Sequence, residues 1–243
     1  MKEYISAHCR IQGCAGSERC RNAVIANTSL LEQIFLEVEK IELSQNNSKE
    51  NENKIPSHHF FSASASFCPN ACSRPQIADF GIIAASIVNV TEIKCTGCNA
   101  CLESCRENAI EFIAPSKPEI IREKCLYCGS CASVCPTGTL ESVKTGYRIF
   151  LGGRMGRHPQ LAVELPYIYD RDNVIELFKV CFGIYNELFY LELRFIEMIS
   201  RYPEKVPFSL RDMFITAPRG KSLIKGNTVE SFRSDIISEK NYR

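Results

Sequence analysis

Eight of the fourteen cysteines stand in two copies of one spacing. Cys95, Cys98, Cys101 and Cys105 make the first copy; Cys125, Cys128, Cys131 and Cys135, followed by Pro136, make the second. Both read C-x-x-C-x-x-C-x-x-x-C. Three thiolates at three-residue intervals can wrap a cube of iron and sulfide, while the fourth reaches across to a neighbouring cube. On that pattern Cys95, Cys98, Cys101 and Cys135 hold one [4Fe–4S] cluster, and Cys105, Cys125, Cys128 and Cys131 hold a second. The competing chemistry is zinc, which draws two C-x-x-C pairs into one tetrahedral site. Two copies of a three-plus-one pattern fit zinc badly.

A second group of cysteines is more scattered. Cys14 and Cys20 are separated by five residues, with Gly13 and Gly16 allowing tight backbone turns. Cys68 and Cys72 flank Pro69, Asn70 and Ala71. Either pair alone is weak, since paired cysteines are often just small buried side chains. Together they make a four-thiolate set that could enclose a third [4Fe–4S] cluster. Cys9 and Cys181 lack partners at ligand spacing and read as structural.

Composition sets the frame for this chemistry. The chain has 243 residues, 45% hydrophobic and 23% charged, as in an ordinary globular protein. A formal net charge of +1 offers no global attraction to nucleic acid or to an anionic membrane. The start, MKEYISAHCR, has no apolar run resembling a signal peptide. Cysteines at metal-ligand spacing without an export signal point to a reducing cytoplasm and bound metal rather than disulfides.

The elements that must position these thiols follow from periodicity. A helix can start at Ser17, and Asn27-Thr28 has the form of a cap for another. Leu30, Leu31, Ile34, Phe35, Val38 and Ile41 then make one apolar helical face. Residues 44–57 are polar and read as a solvated loop. Phe60 to Phe67 and Gly81 to Val88 are strand-like, and GYRIFLGG at 146–153 is a strand ending in a glycine turn. Asp172 is the expected cap of a long helix reaching about Ser200. Its longest uncharged run, Val180 to Asn186, is far short of the ~20 residues that span a membrane. Tyr202 to Arg243 shows little periodicity; it either docks on a partner or lacks order.

Two resemblances sharpen the reading. The second cysteine copy ends in the Cys-Pro of bacterial ferredoxins. GCAGSERC, with CPNACSRPQIADFGI, resembles the siroheme and [4Fe–4S] signature of the nitrite and sulfite reductase family. The layout, with a ferredoxin cassette inserted after the second pair, is most similar to anaerobic and dissimilatory-type sulfite reductase subunits. The resemblance implies that Cys14, Cys20, Cys68 and Cys72 hold a cluster, with Cys72 bridging to siroheme iron. It implies roles for Asn70, Arg74, Arg154 and Arg157 toward the cofactor or an oxyanion such as sulfite, with the solvated basic turn as the alternative for the last two. Arg10, Arg19 and Arg21 are further basic candidates.

The implied fold is α+β. A mixed-sheet reductase-type domain at 1–90 and 145–200 is interrupted by a two-cluster ferredoxin-like domain at 91–144, with a tail at 201–243. The implied activity is six-electron reduction of sulfite to sulfide, fed by an electron donor protein or redox subunit. Family members carry a further domain before the first cysteine pair, and here Cys14 stands thirteen residues after Met1. The expectation is therefore a subunit whose partner completes the siroheme pocket, or a shortened form. The alternatives are an iron–sulfur electron-transfer protein without siroheme, and a nitrite reductase.

Overall fold

A computed structural model describes residues 2–16, 20–26, 29–44, 59–207 and 210–211. Two strands open the chain, β1 (Lys2–Ile5) and β2 (Cys9–Gly13), followed by helix α1 (Ser29–Ser44). Strands β3 (Phe61–Ser66) and β4 (Phe80–Val90) come next. Short helix α2 (Ala100–Ser104), strands β5 (Ile110–Ala114) and β6 (Lys117–Ile120) and short helix α3 (Ser130–Ser133) lie between β4 and β7 (Leu140–Leu151). Strand β8 (Val163–Tyr169) and helices α4 (Arg171–Glu187) and α5 (Phe195–Arg201) follow, and short 3-10 turns lie at Pro75–Ile77, Phe189–Leu191 and Pro203–Lys205.

Six strands form one mixed sheet in the order β1-β2-β3-β4-β7-β8, and β5 and β6 form a separate hairpin. The β2–β3 and β3–β4 pairs are parallel and the others antiparallel. This is an α+β architecture with a mixed sheet. Strand β4 is buried on both faces over most of its length, so it reads as a continuous apolar run rather than an alternation. Phe80, Ile82 and Ala84 join the core under α1 and α4, whereas Ala85 and Ile87 meet Tyr127 and Ile168 on the opposite face. The helix-side core is aromatic: the Phe61 ring contacts Phe178, Phe182, Tyr185 and Phe195.

Several boundaries differ from the sequence reading. The expected helix at Ser17 and the Asn27-Thr28 cap fall on residues outside those described, and residues 20–26 form turns and bends. The long helix is capped by Asp170, not Asp172: its carboxylate accepts from the Asn173 backbone N–H at 2.9 Å. That helix stops at Glu187 rather than near Ser200, and the chain turns through a left-handed Glu192 (φ 51°) before α5. Strand β7 starts six residues ahead of Gly146, because its outer half pairs with the far end of β4. The sequence reading has no strand at β1, β2, β5, β6 or β8, and β1 and β8 edge the sheet.

Under the sheet lies a buried ion pair. Arg148 on β7 donates from Nε and an Nη to the two carboxylate oxygens of Glu164 on β8, at 2.6 and 2.9 Å. Their side chains are only 9% and 4% exposed. Such a fork is satisfied while both partners remain, and removing one strands a buried charge. Glu164→Ala is expected to lower stability by about 3–5 kcal/mol, and the double change R148M/E164L to recover most of it. Denaturant unfolding of the two variants and the wild type checks both.

Candidate iron–sulfur centres

The four scattered cysteines meet at the carboxyl ends of two adjacent parallel strands. Gly13, the last residue of β2, pairs with Ala65 of β3, so Cys14 and Phe67-Cys68 leave the sheet side by side. The Cys14 N–H donates to the Ala65 carbonyl at 3.0 Å, and the Phe67 N–H donates to Cys14 Sγ at 3.4 Å. Residues 20–24 close over them, with the Val24 N–H donating to the Phe67 carbonyl at 2.8 Å. Gly16 lies in the gap: an added Cβ there would stand 3.0 Å from Cys14 Sγ and 3.4 Å from Cys20 Cβ. The thiols of Cys20, Cys14 and Cys72 all bear electrostatically on Cys68, whose pKa is pushed up chiefly by burial. Cys14 and Cys68 are buried, whereas Cys20 and Cys72 are exposed.

A serine ladder fastens the Cys68–Cys72 turn. Strand β3 reads FSASAS, and its hydroxyls turn to the returning chain. Ser64 Oγ donates to the Ser73 carbonyl at 2.6 Å, and Ser66 Oγ and Ser73 Oγ share a bond at 2.7 Å. Ser73 Oγ also donates to the Ala65 carbonyl at 2.7 Å. Farther along, Ser62 donates to Asp79 from its N–H and its hydroxyl, at 2.9 and 2.7 Å. Burial pushes the Asp79 carboxyl up, and the Ser62 bonds oppose the shift. Alternation of serine with alanine was the available signal for this seam, since period two puts the hydroxyls on one side.

Next to this turn sits the glycine turn at 152–153. The Gly152 and Gly153 N–H groups donate to the carbonyls of Asp79 and Ala78, both at 2.9 Å. A Cβ on Gly153 would come within 2.8 Å of the backbone of residues 76–78, so only glycine allows this approach. Ala71, between Asn70 and Cys72, packs on Ile83, Phe150 and Ala162. The basic candidates divide. Arg74 is exposed in a left-handed conformation (φ 60°), and Arg157 is exposed. Arg154 is engaged, with Nε donating to the His158 carbonyl at 2.9 Å and Nη1 to Glu197 Oε1 at 3.1 Å. Arg10 pairs with Glu3, Arg21 lines a cavity with Cys68 and Asn70, and Arg19 lies outside the described residues.

The eight-cysteine segment is a repeat with an offset of thirty residues, and its backbone repeats with it. Positive φ recurs at Gly97 and Tyr127, at Asn99 and Gly129, and at Asn108 and Gly138. The first pair aims an N–H at the leading thiol: Gly97 to Cys95 Sγ at 3.3 Å and Tyr127 to Cys125 Sγ at 3.4 Å. Near the end of each copy, Ala109 donates to Cys105 Sγ at 3.3 Å and Leu140 to Cys135 Sγ at 3.4 Å. Cys95, Cys98, Cys101 and Cys135 line one small cavity. Cys128 and Cys105 bear on Cys125, and Cys125, Cys128 and Cys105 bear on Cys131. The fourth cysteine of each copy thus lies with the first three of the other.

Among the described residues, no group of three or more Cys, His, Asp or Glu side chains closes tightly enough to hold a single metal ion. A four-iron cube is wider than one ion, so its thiolates stand farther apart. Backbone N–H groups directed at sulfur are the bonds that stabilise cluster thiolates and tune them, so the residues present fit [4Fe–4S] groups. Burial pushes the bare Cys131 thiol up to about 12. Burial acts in the same direction on Cys135, but hydrogen bonds from Leu140, Thr137 and Gly138 bring it down to about 7.

A larger cavity, about 960 Å³, joins two of the centres: Cys68, Asn70 and Arg21 line one side, and Cys105, Cys125, Cys128 and Cys131 the other. The register explains the meeting. Ser66 pairs with Ile83, so two residues on Cys68 reaches the level of Ala85, beside Ser86. The Ser86 N–H donates to the Tyr127 carbonyl at 2.7 Å, which lays the second cysteine loop on the sheet at that level.

A sheet interrupted by paired C-x-x-C-x-x-C loops is the build of an iron–sulfur electron-transfer protein, and comparison with known proteins agrees. The family model for a 4Fe-4S dicluster domain matches residues 94–139. The coenzyme F420-dependent sulfite reductase of Methanocaldococcus jannaschii is 33% identical over 177 residues, 72% of this chain and 26% of that protein. One subunit of the anaerobic sulfite reductase of Salmonella typhimurium is 34% identical over 56 residues, 23% of this chain and 17% of that one. The chain therefore spans about a quarter or less of the length of these relatives. The crystal structure of dissimilatory sulfite reductase I shares the fold, with a TM-score of 0.51 and 16% identity over 98% of this chain and 59% of that one. The chain is thus similar to sulfite reductases along most of its length and carries a 4Fe-4S dicluster domain. Among the described residues, no helix is long and apolar enough to cross a membrane.

Cys9 and Cys181 stand apart from all three sets. Both are buried in the core, and burial pushes both thiols up. In iron-free protein, a maleimide is expected to label Cys20, Cys72, Cys98 and Cys128 rapidly and to miss Cys9 and Cys181 until the chain unfolds. Peptide mass spectrometry checks the order.

Proposed function

We propose that this chain is the iron–sulfur part of a siroheme-dependent sulfite reductase. It would hold three [4Fe–4S] clusters on the ligand sets named above and pass electrons inward to a centre at Cys72. The observation that carries the reading is the convergence of Cys14, Cys20, Cys68 and Cys72, two pairs far apart in sequence, at the ends of β2 and β3. The likeness to sulfite reductases along most of the chain supports the substrate class. The division into a reductase-type body at 1–90 and 145–200 and a ferredoxin-like body at 91–144 belongs to the same reading. So does an electron donor protein or redox subunit acting in the cytoplasm.

Siroheme, when bound, would supply an iron that takes the sulfur of sulfite and accepts electrons one at a time. The chain's residues prepare for that centre. Cys72 is exposed on a turn held by the serine ladder, so its sulfur is available as a bridge while its backbone stays fixed. The 152–153 turn packs against the residues just after it, which brings the segment bearing Arg157 and His158 beside the same face. An exposed guanidinium there, or at Arg74, suits a carboxylate or an oxyanion. Because Arg154 is committed to Glu197, the described residues offer fewer free cations for this task than the sequence suggests, which favours a partner subunit that completes the pocket. The same observation is the best support for the alternative of an electron-transfer protein without siroheme.

The shared cavity supports an order of electron flow. The set Cys105, Cys125, Cys128 and Cys131 faces the same space as Cys68, so that cluster is the inner relay and the one at Cys95, Cys98, Cys101 and Cys135 the outer.

Anaerobic protein reconstituted with iron and sulfide, then supplied with siroheme, tests the proposal by its visible spectrum. Siroheme bands above the broad cluster absorption are expected, and Cys72→Ser should abolish the magnetic coupling of haem to cluster while the ferredoxin-type clusters persist. Iron and sulfide without siroheme bands, with and without partner subunits, leaves the electron-transfer reading. Gly16→Val should remove one cluster's share of iron and sulfide by filling the gap between Cys14 and Cys20; unchanged metal content counts against a cluster there.

A further inference from the structure

Arg122 lies outside every cysteine motif, at the bend between β6 and Cys125. The N–H of Cys125 donates to the carbonyls of Ile121 and Arg122 at 3.1 and 3.2 Å, so a single turn carries both the guanidinium and the thiol. One end of the guanidinium is anchored: Nη2 donates to the Val88 carbonyl at 2.7 Å and to Asn89 Oδ1 at 3.1 Å, at the far end of β4. The other end is not. Nη1 is buried and has no hydrogen-bond partner among the described residues. A buried donor of a charged group left without an acceptor is costly, and native structures rarely tolerate one without a reason.

The surroundings indicate what the missing acceptor is. The Arg122 charge acts on the Cys125 thiol and on the neighbouring Tyr127. The second arginine acting on Tyr127, Arg148, is neutralised by its fork to Glu164, but Arg122 makes no ion pair among the described residues. The thirty-residue repeat supplies an internal comparison. Three residues before the leading thiol, the second copy has Arg122 and the first copy has Glu92, an exposed acid. The two loops match in spacing and in positive-φ positions, yet they carry opposite charges at this place.

We infer that Arg122 tunes the cluster held by Cys105, Cys125, Cys128 and Cys131, its free Nη1–H donating to that cluster's sulfur and its uncompensated charge favouring the reduced form. The inference rests on the reading of these four thiols as cluster ligands. A cation and an N–H···S bond both stabilise the electron-rich state, so the inner cluster is held at a higher potential than the outer one. That ordering drives electrons from the outer cluster toward the cavity shared with Cys68.

The test uses the full chain reconstituted anaerobically with iron and sulfide and titrated by EPR-monitored potentiometry. The centre that changes in Cys128→Ser identifies the inner cluster. Arg122→Gln is expected to lower the midpoint potential of that cluster and leave the outer one at its wild-type value. Arg122→Lys, which keeps the charge but not the forked anchor, should fall between. Wild-type potentials in both variants, or an equal shift of both clusters, overturn the inference. Should Arg122→Gln fail to hold iron, Arg122→Lys decides: a lowered inner potential alone supports the role, and a wild-type value refutes it. Loaded clusters that ignore Arg122 refute this inference alone; a wild-type chain that binds no iron and sulfide removes the cluster reading and this inference with it.

Discussion

The antiparallel ladder between β4 and β7 is the constraint on which the rest of the molecule depends. It joins residues from either side of the cysteine-rich segment, running from Phe80↔Leu151 to Val90↔Leu140 with one irregularity near Ile87. Each end has its own task. At the Phe80 end, the 152–153 turn closes on the residues that follow Cys72. At the Val90 end, the chain leaves for the paired cysteine loops and returns. Because strands are stiff and advance about 3.3 Å per residue, the ladder fixes how far apart these two regions can be. The second cysteine loop shortens that separation by folding back to Ser86, where its Tyr127 carbonyl is bonded to the sheet.

Parallel pairing does the corresponding work for the scattered cysteines. Strands β2 and β3 run the same way, so their carboxyl ends emerge together, and the turns that follow carry Cys14 and Cys68. Antiparallel strands would have placed those turns at opposite ends of the sheet. Parallel neighbours need a long connection between them; here residues 14–60 provide it, and α1 within that stretch covers the core face of the sheet. The small residues of β3 are explained by the same geometry. Alanines let the helices approach, and serines on the other face bind a returning turn that no larger side chain would admit.

A buried ion pair lies where the second cysteine loop meets the sheet. Arg148 and Glu164 cancel each other beneath Tyr127, and the Arg148 guanidinium stands 5.3 Å from the Phe150 ring centroid and 6.0 Å from that of Tyr127. Cation–aromatic contact of this kind adds to the fork rather than replacing it. Asp79 is held by Ser62 at the opposite end of β4. These groups sit beside the loops that carry thiols, and their hydrogen bonds leave those loops little freedom to shift.

The paired C-x-x-C-x-x-C spacing by itself determined the ferredoxin-type segment, because three ligands of each set lie three residues apart on one short turn and the repeat itself supplies the fourth. The apolar face of α1 and the strand at 147–151 were legible for a similar reason: period and composition report burial locally. Only tertiary structure decided that Cys14 and Cys20 would face Cys68 and Cys72, since that meeting depends on which strands pair, and in which direction. It also decided that Arg154 is committed to Glu197, that Arg148 and Glu164 are partners, and that one nitrogen of Arg122 is buried without a hydrogen-bond partner among the described residues. Charges and hydroxyls show their type in a sequence but not their partner, and the partner determines whether a group is spent on stability or kept for chemistry.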